Sequence, residues 1–492
     1  MGEEMRKNLS LYEINTRVFL KKFADKKGNI NISYVPESYW DSLKEKGFDY
    51  IWLMGIWKTC SSAIEGFCYE EDLVKAYSKA LRDWQKEDVI GSPYSIDCYE
   101  FNPALGSTED FYNVKTMLNN KGMKLILDFV PNHLSVHTHL LKTNPEIFLE
   151  ASEENFNTDN HTFFKSDNGK YYAHGRDPFF PAWQDTVQIN YYSLEARKFM
   201  DNVLLDLTDM CDGLRCDMAM LVLNNTFYST WVGALKNYPR PEKDYWADTI
   251  SKIKAKREDF VMIAETYWDL EWVMQQQGFD YTYDKTLTER IRSGYIEAIK
   301  GHLQADTEYQ QKSVRFLENH DEERTLSIMN CERNKTASAI IATIQGLKLY
   351  NDGQLEGKKI KLPVQLGREW AETENKLLKA HYDKLLSITK AEIFKSGKWT
   401  LLEPEPGWDG NFTYVNMLSW LWTYKDEHRL VVINHSETLS KCRIKLNLEG
   451  FPEEMELIDL MNDKSYLRSA EEINSIGLYV ELKPFNTHIF KF

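Results

Sequence analysis

Short apolar runs recur along this 492-residue chain, and several stop at a carboxylate. The clearest lie at residues 50–54, 124–129, 212–217, 260–265, 314–318 and 346–350, with helical stretches between them. Strands alternating with helices imply a parallel sheet covered by helices, because parallel neighbours need a crossover connection. Asp128, Asp217 and Glu265 stand at or near the ends of their runs, and Asn319-His320-Asp321 follows another. A carboxylate is costly to bury alone, so at a strand end it either pairs or takes part in chemistry. In a (β/α)8 barrel the C-terminal strand ends carry the active site. The alternation alone suits an open, doubly wound sheet equally well.

Two stretches interrupt the pattern. Residues 134–192 are rich in Asn, Asp, His and aromatic residues and lack helical periodicity, which predicts a small excursion domain between a strand and its helix. Residues 57–92 predict a shorter insertion after the second strand, helical over 71–85. From about 397 the character changes: Leu430-Val431-Val432-Ile433 is a short apolar run, and residues 442–448 alternate with period two. That pattern predicts an antiparallel β domain. The expected division is a catalytic barrel over 1–133 and 193–396, an excursion domain over 134–192 and a C-terminal β-sandwich over 397–492.

Hydrophobic residues make up 42% and charged residues 27%, which is globular material. A net charge of −15 argues against general nucleic-acid binding, which needs basic surface. No segment approaches the ~18 apolar residues of a membrane span, and the N-terminus has no apolar run of signal-peptide length. Arg6 stands where a myristoylation motif has Ser or Thr. The seven cysteines, at 60, 68, 98, 211, 216, 331 and 442, show no zinc or redox spacing. Reduced thiols and a cytoplasmic location are expected.

The strand ends carry a more specific pattern. Asp128-Phe129-Val130-Pro131-Asn132-His133, Asp212-Gly213-Leu214-Arg215-Cys216-Asp217-Met218-Ala219, Ala264-Glu265-Thr266-Tyr267-Trp268 and Phe316-Leu317-Glu318-Asn319-His320-Asp321 resemble, in order, the four motifs of the α-amylase family, glycoside hydrolase family 13. Tyr12-Glu13-Ile14-Asn15 resembles its first barrel strand, and Ser92-Pro93-Tyr94-Ser95-Ile96-Asp97 the segment before the first motif. The resemblance runs from about residue 11 to the C-terminus. It implies a (β/α)8 barrel with an excursion domain after the third strand. It also implies a retaining enzyme acting on α-glucans or maltooligosaccharides, cleaving α-1,4 bonds.

Retaining hydrolysis needs two carboxyl groups about 5–5.5 Å apart, and adjacent strand ends can supply them. By the resemblance, Asp217 is the nucleophile and Glu265 the general acid/base. Asp321 is the third carboxylate, which binds sugar hydroxyls. Arg215 lies two residues before Asp217, on the same strand face, where its charge would keep Asp217 ionised. His133 and His320 match histidines that hydrogen-bond the sugar. Tyr94 and Asp97 match a stacking tyrosine and a supporting aspartate. Trp57 and Trp268, like Trp52 and Tyr267, either stack on glucose rings or pack in the core. Trp399, Trp420 and Trp422 pose the same choice in the C-terminal domain, with packing the simpler reading.

Three departures from the family pattern matter. Met220 and Leu221 replace a Lys-His pair after the nucleophile, which predicts an apolar acceptor side. Gln188 stands where the family's structural calcium has an Asp, so no metal and no other cofactor are expected there, since a neutral amide is a weak ligand for a hard dication. Around 351–357, Gln354 and Glu356 either line the site or form a turn. Hydrolysis and transfer to a sugar acceptor, or isomerisation, share the same chemistry and are not separated by these residues. A non-catalytic glucan-binding or transporter-accessory role fits poorly with three retained carboxylates. No oligomeric state is implied.

Overall fold

The computed structural model describes residues 7–446 and 451–492. Arg6, and Asn447 and Leu448 at the end of the alternating run, lie outside the described residues. Eight parallel strands close into a barrel: β1 (Ser10–Asn15), β2 (Tyr50–Met54), β3 (Lys124–Phe129), β4 (Gly213–Cys216), β5 (Val261–Ala264), β6 (Tyr281–Tyr283), β7 (Ser313–Arg315) and β8 (Leu347–Asn351). Each pairs with its neighbour in sequence, and β8 pairs back onto β1. The closed ring settles the choice left open by the alternation: the sheet is a barrel.

β2 shows why these runs form barrel strands. Tyr50, Trp52 and Met54 point into the barrel among Leu11, Ile126, Ile263, Phe316 and Leu349. Ile51 and Leu53 point outward, under the helices. Both faces are apolar because both are covered. Gly213 at the start of β4 is required by close approach. A Cβ there would lie 2.6 Å from the Val261 carbonyl and 2.7 Å from Ile126 Cδ1. β6 is the strand the sequence reading missed. Its three residues, Tyr-Thr-Tyr, are too short for a periodic signal, although Asp284 follows it as a carboxylate follows other strands.

Between β3 and the helix Leu194–Met210 the chain makes its excursion. His133–Ser135 pairs with Thr186–Gln188, and Glu150–Ala151, Tyr171–Ala173 and Phe163–Lys165 form a small sheet. In the insertion after β2, Trp57–Thr59 pairs with Ile96–Phe101 and a helix covers Glu71–Ala80, shorter than expected. The C-terminal part packs a six-stranded antiparallel sheet against a three-stranded one. Trp420 and Trp422 are completely buried, on the sheet face that meets barrel helices through Ile340, Ile299 and Leu303. They are packing residues, and Trp399 packs against the same cluster. Among the described residues, no helix is long and apolar enough to cross a membrane.

Candidate active site

Strand register brings the carboxylates together. Arg215 on β4 pairs with Asp128 on β3 and with Ile263 on β5, while Cys216 pairs with Ala264. Asp217 and Glu265 therefore follow paired positions. Their backbones are fixed by Asp217 N donating to Phe129 O and Glu265 N donating to Cys216 O.

Arg215 is the hub. Nη1 lies 2.7 Å from Asp217 Oδ1, Nη2 lies 2.6 Å from Glu265 Oε2, and Nη1 lies 3.7 Å from Asp128 Oδ1. The guanidinium is fully buried, with Trp52, Tyr94 and Tyr283 rings within 5.2–5.6 Å of its carbon. Three carboxylates share one fixed cation, so full ionisation of all three is unfavourable. Burial pushes Asp128 up to about 7 although Arg215 pulls it down. Burial likewise pushes Glu265 up to about 7, opposed by Arg215 and assisted by Asp217.

Met218 adopts φ 41°, a left-handed conformation that a residue with a side chain rarely takes. The turn aims its N–H at Glu265 Oε2, 2.8 Å away. The other oxygen, Oε1, accepts from Tyr267 Oη at 2.7 Å.

Asp321 follows β7 with its side chain 51% exposed, open to the cleft. His320 Nε2 lies 3.0 Å from Asp321 Oδ2, and Nδ1 lies 2.5 Å from Glu13 Oε1 on β1. Burial disfavours the charged imidazole, yet Asp321 and Glu13 outweigh it and hold His320 well above its ordinary value. Burial would also raise Asp321, but His320, Arg215 and Lys361 hold it well below. Tyr94 lies 2.8 Å from His320 Nε2 through Oη and stacks on its ring. His133 is buried against Trp183, and burial pushes it down to about 4, so it is neutral.

The structure therefore brings Asp217, Glu265, Asp321, Arg215, His320 and Tyr94 into one cluster: Arg215 holds Asp217 and Glu265, His320 contacts Tyr94 and Asp321, and the Tyr94 ring lies over the Arg215 guanidinium. Trp57 is not part of it. The ring is 1% exposed, stacks on Phe101 and donates Nε1 to the Asp128 carbonyl at 2.8 Å. Its strand turns away from the barrel mouth to pair with Ile96–Phe101, which carries the side chain into the core. Asp97 also lies outside the network. Its Oδ1 accepts from both the backbone N and Nδ1 of His139, at 2.9 Å each. Trp52 is buried beneath Arg215 and His320 and offers no free face.

Met220 and Leu221 are buried in the 3-10 turn Ala219–Val222, so the expectation that they line an acceptor site does not hold. The left-handed turn at Met218 rotates them into the core. Exposed aromatic surface lies instead at Trp268, just after Glu265, whose ring meets that of Phe179 at 4.8 Å. Phe179 is 67% exposed on the excursion domain. Its turn is held by Asp177 Oδ1, which accepts from the N–H groups of Phe179 and Phe180. Gln354 bonds Tyr382, away from the carboxylates, and the segment forms a turn. Sequence reasoning gave no role to Glu13, Asp128 or Tyr283. The signal for the first two was the one that found the others, a carboxylate near the end of a barrel strand.

The implied calcium can be tested against the donor set. Gln188 is completely buried, and its Nε2 donates to Asn132 O at 2.8 Å, Asn132 Oδ1 at 3.0 Å and Ile189 O at 3.0 Å. Oxygens of that kind are what a hard cation would use. Here they converge on amide hydrogens, and Gln188 Oε1, a single neutral oxygen, does not replace a carboxylate. Gln188 Nε2 thus stands where these oxygens converge, while its Oε1 is buried without a hydrogen-bond partner.

A family model described as "Alpha amylase, catalytic domain" matches residues 37–381. The α-amylase MalA of Haloarcula japonica is 23% identical over 277 residues, covering 54% of this chain and 36% of that protein. A cyclomaltodextrin glucanotransferase of Bacillus sp. is 21% identical over 261 residues, covering 51% and 35%. The chain thus matches about a third of the length of these curated relatives. Among solved structures, a noncanonic maltogenic α-amylase, AmyB, from Thermotoga neapolitana superposes with a TM-score of 0.70 at 22% identity, covering 99% of both chains. That likeness shows a shared fold.

Proposed function

Because the chain belongs to the α-amylase family, we propose that it is a retaining glycoside hydrolase acting on α-glucans or maltooligosaccharides at α-1,4 bonds. The observation that carries this reading is Arg215 holding Asp217 and Glu265 on two nitrogens of one guanidinium. That bridge favours the short carboxylate spacing of retaining chemistry, about 5–5.5 Å, over the wider gap that inversion needs.

Asp217 attacks the anomeric carbon while Glu265 protonates the departing glycosidic oxygen. A glycosyl ester forms on Asp217, and the leaving sugar takes the proton from Glu265. Glu265, now a carboxylate, accepts a proton from water as the water oxygen attacks the ester-linked carbon, which restores both groups and the original anomeric configuration. An acid near pH 7 suits both roles, and burial supplies it. Oε2 already accepts from Met218 N and lies in ion-pair contact with Arg215 Nη2, so the proton that Glu265 delivers resides on Oε1. Asp321, ionised beside a charged His320, binds sugar hydroxyls. Neutral His133 and the Tyr94 ring complete the same subsite. Domain joining at Gln188 is done by an amide, so the enzyme needs no calcium there.

Transfer to a sugar acceptor is the second reading, favoured by the exposed Phe179–Trp268 pair beside Glu265, on which an acceptor ring can compete with water. Incubation with a maltooligosaccharide of single length, followed by product sizing, tests both. Shorter products alone mean hydrolysis, and products longer than the substrate mean transfer. No change in chain length would remove both readings.

A further inference from the structure

We propose that Asp97, Cys98 and His139, with Cys60 as fourth donor, form a binding site for a thiophilic divalent cation such as zinc. The ligand atoms of the first three lie within 4.8 Å of one another. The fold assembles them from separate segments. Asp97 and Cys98 lie on the strand Ile96–Phe101, where Lys58 pairs with Cys98. Cys60 follows the partner strand Trp57–Thr59, outside that 4.8 Å cluster but close enough to Asp97 for the carboxylate to influence its thiol, and it completes the set by rotating its side chain inward. His139 caps the turn Leu140–Thr143, its ring already 2.9 Å from Asp97. Thr138 Oγ1 donates to the Asp97 carbonyl at 2.7 Å and fixes this loop against the strand.

The donor chemistry selects the ion. Two thiols, an imidazole and a carboxylate match a tetrahedral zinc set, and sulfur donors disfavour calcium and magnesium. At present a cation of the protein's own faces these groups: Lys58 Nζ lies 3.6 Å from Asp97 Oδ2 and 3.6 Å from Glu100 Oε2. Its side chain is half-exposed and can swing toward Glu100. Burial pushes both thiols up to about 11, so they are protonated at neutral pH. Binding releases the two thiol protons to solvent, and His139 moves its ring proton from Nδ1 to Nε2, freeing Nδ1 for the metal. No bond to the carboxylate network around Arg215 is involved. Cys60 and Cys98 are 38 residues apart in sequence, which is why no spacing motif announces the site. Bound metal would tie the insertion after β2 to the loop behind His133.

The test is a cobalt titration of the full-length, chelator-treated protein, with zinc competition. The expected result is a near-ultraviolet sulfur-to-cobalt charge-transfer band with tetrahedral visible absorption, both erased by zinc. Cys60→Ser and Cys98→Ser should each remove about half of the charge-transfer intensity, and the double variant all of it. His139→Ala, at an exposed side chain, should weaken cobalt binding at least about tenfold. Zinc should raise the melting midpoint of the wild type and leave that of His139→Ala little changed. Absence of a sulfur band in the folded wild type would overturn the proposal. So would a band that persists in a folded double variant, or unchanged affinity in His139→Ala.

Discussion

Tyr267 donates its hydroxyl to Oε1 of Glu265 at 2.7 Å, the oxygen that carries the proton in the proposed mechanism. The phenol therefore stabilises the ionised form of Glu265 and must turn, or accept in its place, when the carboxyl is protonated. Tyr267→Phe removes that donor. A hydrogen bond to a charged group is worth about 1.5–3 kcal/mol, and one pH unit corresponds to about 1.4 kcal/mol. With the ionised form less favoured, Glu265 holds its proton to higher pH. The basic limb of the kcat/KM profile should move upward by about one to two units, while the acidic limb stays. An unmoved basic limb would mean that Tyr267 only packs.

Trp57 should behave as a structural residue. Trp57→Phe keeps a ring beside Phe101 but loses the bond to the Asp128 carbonyl, which is buried. Leaving that acceptor unpaired costs about 1–3 kcal/mol. The melting midpoint should fall while KM for maltooligosaccharides stays constant. A raised KM with unchanged stability would restore Trp57 to the sugar site.

Chelator treatment should leave activity unchanged, and adding calcium to the chelated protein should not raise its melting midpoint. Gln188→Ala, in contrast, removes the amide donor from the Ile189 carbonyl and from Asn132 Oδ1, while the Asn132 carbonyl keeps the Ile189 N–H, and should cost about 1–3 kcal/mol of stability, with no recovery on adding calcium. Loss of activity on chelation, restored by calcium, would show that another ligand set holds the ion.

The exposed aromatic pair should govern binding of long substrates. A stacked ring contributes about 0.5–1.5 kcal/mol beyond area burial, which is about a 2- to 12-fold effect. Trp268→Ala and Phe179→Ala should each raise KM for long maltooligosaccharides by that factor, with kcat little changed. Small activated glucosides should be indifferent. Equal losses on both substrate types would place these rings elsewhere in the mechanism.

Much of this site was legible in the sequence because the barrel repeats one physical rule. An apolar strand covered on both faces ends where its residues meet solvent, and polar groups collect there. Asp217, Glu265 and Asp321 stand out on that ground. What the sequence hid depends on direction. Trp57 sits just past a strand end like Trp268, yet its strand folds back into the core. Met220 and Leu221 lie three and four residues after Asp217, yet the left-handed turn at Met218 points them inward. Tyr283 escaped because its strand has three residues. The meeting of Cys60, Cys98 and His139 is purely tertiary, and no local pattern encodes it.

Trapping the glycosyl ester tests the central claim most directly. A slow 5-fluoroglucosyl fluoride should inactivate the enzyme with one sugar bound per chain, and peptide mass mapping should place that sugar on Asp217. Asp217→Asn should remain folded, lose activity by several orders of magnitude and take no label. A label on Glu265 would reverse the two roles, and full turnover by Asp217→Asn would contradict the account.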